Sequence, residues 1–124
     1  MKIRIARHTS KLKEIIYFYH KILGLDILGS FENHDNYDGV FLGLKNENWQ
    51  LEFTTSNEKP THKTDDDDLI VFYPPSETHF KQTITALKKA NINFIDSKNP
   101  YWSKNGITVL DPDNFRVVIA NPTK

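Results

Sequence analysis

Five short stretches carry the side chains that could do chemistry. Arg4 and His8 stand either side of Ala6 in Ile3-Arg4-Ile5-Ala6-Arg7-His8, and Gln50 and Glu52 alternate with Trp49, Leu51 and Phe53. Asp68 precedes the apolar run 69–73, Arg116 stands within 115–120, and Tyr101-Trp102 lie in the segment 99–104. An arginine is always charged and offers a fork of donors suited to anionic or carbonyl-bearing groups, while a histidine can exchange a proton near neutral pH. The carboxylates of Glu52 and Asp68 can pair with such cations or act as oxygen ligands. Tyr101 and Trp102 offer faces on which a flat ligand could stack; packing against the protein's own edge or a partner chain is the equal alternative.

Several chemistries are missing. No Gly-rich phosphate loop, Gly-x-Ser-x-Gly elbow or His-Glu-x-x-His motif occurs. With no cysteine there is neither a disulfide framework nor a thiolate site. The run Asp65-Asp66-Asp67-Asp68 lacks the spaced ligands and central glycine of a calcium loop; it reads as the solvated end of a linker, with only Asp68 entering a strand. His20, His34, His62 and His79 fall on a helix or in polar loops and are expected to face solvent. Sixteen basic residues balance sixteen acidic ones, so no net field draws the chain to nucleic acid or to an anionic membrane. No apolar run approaches the roughly 20 residues of a membrane span, and Met1-Lys2-Ile3-Arg4 opens no signal-peptide pattern. A cytoplasmic protein without nucleic-acid or membrane partners is the expectation.

The elements that must position these residues read as an α+β protein of two like halves. Ile3 and Ile5 alternate with polar neighbours as a strand to about residue 8. Ser10 can then cap a helix whose Leu12, Ile15, Ile16, Tyr19, Ile22 and Leu23 recur at helical spacing up to Gly24. Strands are predicted over 25–31, 40–44 and 49–54, with Asp38-Gly39 as a turn signal. After the polar stretch 56–67 the order repeats: a strand over 69–73, a helix opened by Pro74-Pro75-Ser76 with Phe80, Ile84 and Leu87 on one face, Asn91 where Gly24 stood, then strands over 92–95, 107–110 and 115–120. The two closing hairpins, 44–53 and 110–119, alternate in register. The plan is one domain, 1–124, of two βαβββ modules, 1–57 and 66–124.

Three stretches resemble the vicinal oxygen chelate superfamily, which includes glyoxalases, bleomycin-resistance proteins and extradiol dioxygenases. They are Phe18-Tyr19-His20-Lys21-Ile22-Leu23-Gly24-Leu25, Gln50-Leu51-Glu52-Phe53, and Asn105-Gly106 through Asp111-Pro112-Asp113-Asn114-Phe115-Arg116-Val117-Val118. Asn114 replaces the usual glycine, and asparagine also tolerates a left-handed turn. The resemblance implies that each module is a curved mixed sheet with its helix on the convex face, together forming a cup-like cavity. Alternation then sends Ile3, Ile5, Trp49, Leu51, Phe53, Leu69, Val71, Phe115, Val117 and Ile119 towards the helices. Arg4, Ala6, His8, Gln50, Glu52, Asp68, Ile70, Phe72, Arg116, Val118 and Ala120 would line the cup.

Metal-dependent relatives place one ligand on the first and last strand of each module. The resemblance puts these positions at Arg4, Glu52, Asp68 and Val118, and two of them cannot coordinate. Shifting the first to His8 leaves a fallback set of His8, Glu52 and Asp68. Cross-strand ion pairs Arg4–Glu52 and Asp68–Arg116 are the structural explanation of the same residues. The expectation is a metal-independent small-molecule-binding protein with Arg4, His8, Gln50, Glu52, Asp68, Phe72, Tyr101, Trp102 and Arg116 at its cavity, paired as a homodimer. The alternative is a glyoxalase-type lyase or isomerase using a divalent metal.

Overall fold

A computed structural model describes residues 1–123. The chain divides into two compact units, Met1–His62 and Lys63–Lys124.

The first unit runs β1 (Ile3–His8), α1 (Leu12–Ile16), a π-helical turn (Tyr17–Ile22), β2 (Asp26–His34), β3 (Tyr37–Gly43) and β4 (Trp49–Thr55). Its four-stranded sheet has the order β1-β4-β3-β2, with β1 parallel to β4 and the other pairs antiparallel. This is one βαβββ module. Ser10 does not cap the helix: the buried Thr9 accepts the N–H of Lys11 on its hydroxyl at 2.9 Å, and the helix begins at Leu12. At the other end the Leu23 N–H reaches back five residues to the Phe18 carbonyl, and Gly24 leaves the helix at φ +81°. A left-handed residue at this place is what a helix C-terminus favours. Ile15, Phe18, Tyr19 and Ile22 are buried, and the Tyr19 ring stacks on Phe53 at 5.1 Å, so the helical segment covers the Leu51 and Phe53 side of the sheet.

Two expectations for this unit change. The turn between β2 and β3 is Asp35-Asn36, at φ +51° and +70°, the double left-handed conformation of a tight hairpin. Asp38-Gly39 lies inside β3 instead, where the Phe31 ring of the opposite strand occupies the space a Cβ on Gly39 would fill. Ile3 and Ile5 share the register of Trp49 and Leu51 but are 54% and 61% exposed. They sit on the edge strand β1, beyond the reach of the helical cover.

The second unit runs β5 (Leu69–Phe72), α2 (Glu77–Lys89), α3 (Pro100–Asn105), β6 (Gly106–Leu110) and β7 (Arg116–Ala120), with a sheet ordered β5-β7-β6. Ser76 caps α2 by accepting the His79 N–H at 3.1 Å. Asn91 stands at φ +59°, as Gly24 does after the first helix. The expected strand over 92–95 shrinks to one bridge, Ile95 with Thr108. The cause is local: the Ile92 N–H still closes the helix end on the Leu87 carbonyl, so it cannot join a ladder. The closing turn is set by the buried Asp111, whose carboxylate accepts the N–H groups of Asp113 at 2.8 Å and Phe115 at 3.1 Å, with Asn114 at φ +66°.

Candidate functional site

Pairing β1 with β4 in parallel sets Arg4 beside Gln50, Ala6 beside Glu52 and His8 beside Thr54, and β3 adds Phe41 beside Glu52 and Gly39 beside Thr54. In a pleated sheet such partners share a face. Arg4, His8, Gln50, Glu52 and Phe41 therefore lie together on the face opposite Leu51 and Phe53. It is the more open face: in β4 Leu51 and Phe53 are buried while Gln50, Glu52 and Thr54 are half-buried.

Arg4 is held from two directions. Its Nε and Nη2 donate to Gln50 Oε1 at 3.3 and 3.2 Å, and its guanidinium carbon lies 4.5 Å from the centre of the Phe41 ring. The expected Arg4–Glu52 ion pair is not formed. Gln50 lies directly across from Arg4 and Glu52 only diagonally, so the nearer oxygen takes the donors. Among the described residues the Glu52 carboxylate has no hydrogen-bond or ion-pair partner.

His8 is fully engaged. Nδ1 lies 2.8 Å from Thr54 Oγ1, and Nε2 lies 3.1 Å from Ser56 Oγ and 3.0 Å from the Glu58 carbonyl. A carbonyl can only accept, so Nε2 carries a hydrogen and donates to Glu58, while the Thr54 hydroxyl can either donate to or accept from Nδ1. Tyr37 meets the ring edge-on at 5.5 Å. His62, expected in solvent, is half-buried and donates from Nε2 to the His8 carbonyl at 2.8 Å. His20 is likewise half-buried, with Nδ1 2.6 Å from the Leu25 carbonyl.

In the second unit the register corrects the assignment of faces. β5 and β7 pair as Leu69 with Arg116, Val71 with Val118 and Phe72 with Ile119. Leu69 and Val71, not Ile70 and Phe72, therefore share a face with Arg116 and Val118. Asp68 precedes the strand, exposed, and accepts the Asp65 N–H at 3.2 Å. Arg116 pairs not with Asp68 but with Asp66 at 3.5 Å, and it donates to the Asp96 carbonyl at 3.0 Å; its side chain is only 18% exposed. Val117, Val118, Ile119 and Ala120 are all buried, so β7 is covered on both faces, unlike β4.

The segment expected as an aromatic loop is the short helix α3, with the Asn99 side chain accepting the Tyr101 N–H at 3.0 Å and Pro100 in the first turn. Trp102 contacts Tyr101 edge-on at 4.9 Å and Tyr73 at 6.3 Å. These rings pack on one another, and Tyr73 keeps 73% of its surface exposed.

The superposable registers permit a test of fit to the divalent metal that the fold class implies. Arg4 pairs with Gln50 as Leu69 pairs with Arg116, so the third ligand position falls at Leu69 rather than Asp68. Arginine has no lone pair to give, and leucine and valine have no donor atom, so only Glu52 of the four can coordinate. These four side chains together do not make a metal-binding set. Among the described residues no group of three His, Asp or Glu side chains is placed to hold one. No helix of the described residues is long and apolar enough to cross a membrane.

The fold is that of the glyoxalase and bleomycin-resistance class. Glyoxalase I of Leishmania major matches with a TM-score of 0.75 at 20% identity, over 99% of this chain and 87% of that one. TnmS3, an antibiotic-binding protein from Streptomyces sp. CB03234, matches with a TM-score of 0.68 at 14% identity, over 97% and 93%. At these identities the likeness is one of fold. Within the class, residues 3–54 match the YycE-like N-terminal domain and residues 67–121 the YycE-like C-terminal domain. YycE of Bacillus subtilis (strain 168) is 41% identical over 121 residues, 97% of this chain and 87% of that protein. The crystal structure of a B. subtilis YycE, a protein of unknown function, gives a TM-score of 0.87 over 97% of this chain and 88% of that one. The chain belongs to the YycE-like family.

Proposed function

We propose that this protein binds a small molecule on the open face of the first sheet without using a metal ion. The observation that supports this reading is the register: Arg4 pairs with Gln50 as Leu69 pairs with Arg116, so the ligand positions that the family resemblance implies would read Arg4, Glu52, Leu69 and Val118. Arg4 would add a fixed positive charge where a cation should sit, opposing it wherever the face is dry. What the face offers instead is a guanidinium held in place by Gln50 and Phe41 beside an unpaired carboxylate, which suits recognition of a polar ligand. Tyr73 and Tyr101 supply exposed aromatic surface in the second unit, with the half-buried Trp102 between them in edge-on contact with both. Ile3 and Ile5, exposed on the edge strand β1, support pairing as a homodimer, and the reading takes the protein to be cytoplasmic.

The competing reading is a glyoxalase-type lyase or isomerase using a divalent metal on His8, Glu52 and Asp68. It would have to free a His8 ring nitrogen from Thr54 or from the Glu58 carbonyl. Metal analysis separates the two. Purified without chelators, the protein should carry well under one transition-metal ion per chain, and added nickel, zinc, manganese or iron should neither raise its melting temperature nor produce glyoxalase activity. Stoichiometric metal that disappears in Glu52→Ala would overturn the proposal.

A further inference from the structure

We infer that the ligand of the first sheet is an amino carboxylate, a compound bearing both a carboxylate and an ammonium group, held between Arg4 and Glu52. The inference rests on the small-molecule-binding reading above and names its ligand class. A guanidinium has five N–H donors. In Arg4, Nε and one hydrogen of Nη2 go to Gln50 Oε1, and the Phe41 ring lies against the guanidinium group. The end of the fork, Nη1 with the second Nη2 hydrogen, remains as a two-donor edge that matches a carboxylate. Because Gln50 and Phe41 already fix its orientation, little side-chain freedom is left to lose on binding.

Glu52 is the complementary half. It lies two residues along β4 from Gln50, so its Cα is about 7–8 Å from that of Arg4, diagonally across the two strands. Its neighbour on β1 is the short side chain of Ala6, and on β3 it is Phe41, the ring on which the Arg4 guanidinium rests. Half-buried and without a partner among the described residues, this carboxylate has lost part of its hydration and gained no counter-ion. An anionic ligand on Arg4 would meet repulsion from Glu52, and a cationic ligand on Glu52 would meet it from Arg4. A ligand with both signs satisfies both groups.

The test uses the full-length 15N-labelled protein and a panel of the protein amino acids and glycine dipeptides, each beside its N-acetyl and C-terminal amide forms. Binding is read from the Arg4 Nε–H and Gln50 side-chain amide resonances. At least one free amino carboxylate should move both resonances and bind at least tenfold tighter than either of its blocked forms. Glu52→Gln should erase the preference over the N-acetyl form, and Arg4→Gln the preference over the amide. Should a variant lose its dispersed spectrum, the blocked compounds on the unmodified protein still decide. Blocked and free forms binding equally, or only uncharged fragments perturbing the face, would overturn the amino-carboxylate assignment while leaving a small-molecule site. A face that responds to neither the panel nor a general fragment library would overturn both.

Discussion

Gln50 accepts both Nε and Nη2 of Arg4 on one oxygen, across the parallel pair of β1 and β4. The contact is exposed, so its worth to the fold is small and its effect is on where the guanidinium points. Gln50→Leu is expected to lower stability by less than about 1 kcal/mol in urea unfolding. The Arg4 Nε–H should at the same time broaden or shift towards a solvent-exposed value. A loss of several kcal/mol would instead make this pair structural.

The Asp35-Asn36 hairpin gives a backbone prediction. Asn36 holds φ +70°, which costs a residue with a Cβ about 1 kcal/mol or more unless it is glycine, asparagine or aspartate. Asn36→Gly should leave the melting temperature unchanged or raise it, and Asn36→Val should lower stability by about 1–2 kcal/mol. Equal effects of the two would contradict the double left-handed turn.

Asp111 is 3% exposed and gathers the N–H groups of Asp113 and Phe115. Asp111→Ala leaves two part-buried donors without that acceptor and should cost about 1–3 kcal/mol, whereas Asp111→Asn keeps one oxygen and should cost less. Chemical denaturation of both variants ranks them.

The exposed edge of β1 bears on assembly. Ile5→Lys should shift a dimer towards monomer in light scattering at micromolar concentration while the circular dichroism spectrum stays unchanged, because the residue is 61% exposed in the single chain. A protein that is monomeric before the substitution would dispose of the dimer altogether.

How far the sequence carried depends on how each segment encodes its faces. Trp49-Gln50-Leu51-Glu52-Phe53 alternates, and its faces in the structure follow that alternation. Leu69-Ile70-Val71-Phe72 is apolar throughout, so nothing in it says which side each residue takes; pairing with β7 decides, and it sets Leu69 rather than Asp68 level with Arg116. Partners differed for a related reason: Arg4 and Arg116 took Gln50 and Asp66, because rotamer and register choose among neighbours that a list of residues leaves equal. The short helix α3 did have a signal, Asn99 followed by Pro100, the usual pairing of a capping side chain with a first-turn proline. The π-helical turn had none.

His8 and His62 carry one more consequence. The segment leaving β4 is tied back to the end of β1 by both ring nitrogens of His8, by its carbonyl through His62, and by the Thr9 N–H on the Thr54 carbonyl at 2.8 Å. Every one of these bonds closes at or before residue 62, where the first unit ends. The first half thus fastens its own loose end, in the manner of a cassette: a cut between His62 and Lys63 would sever the chain and none of these ties.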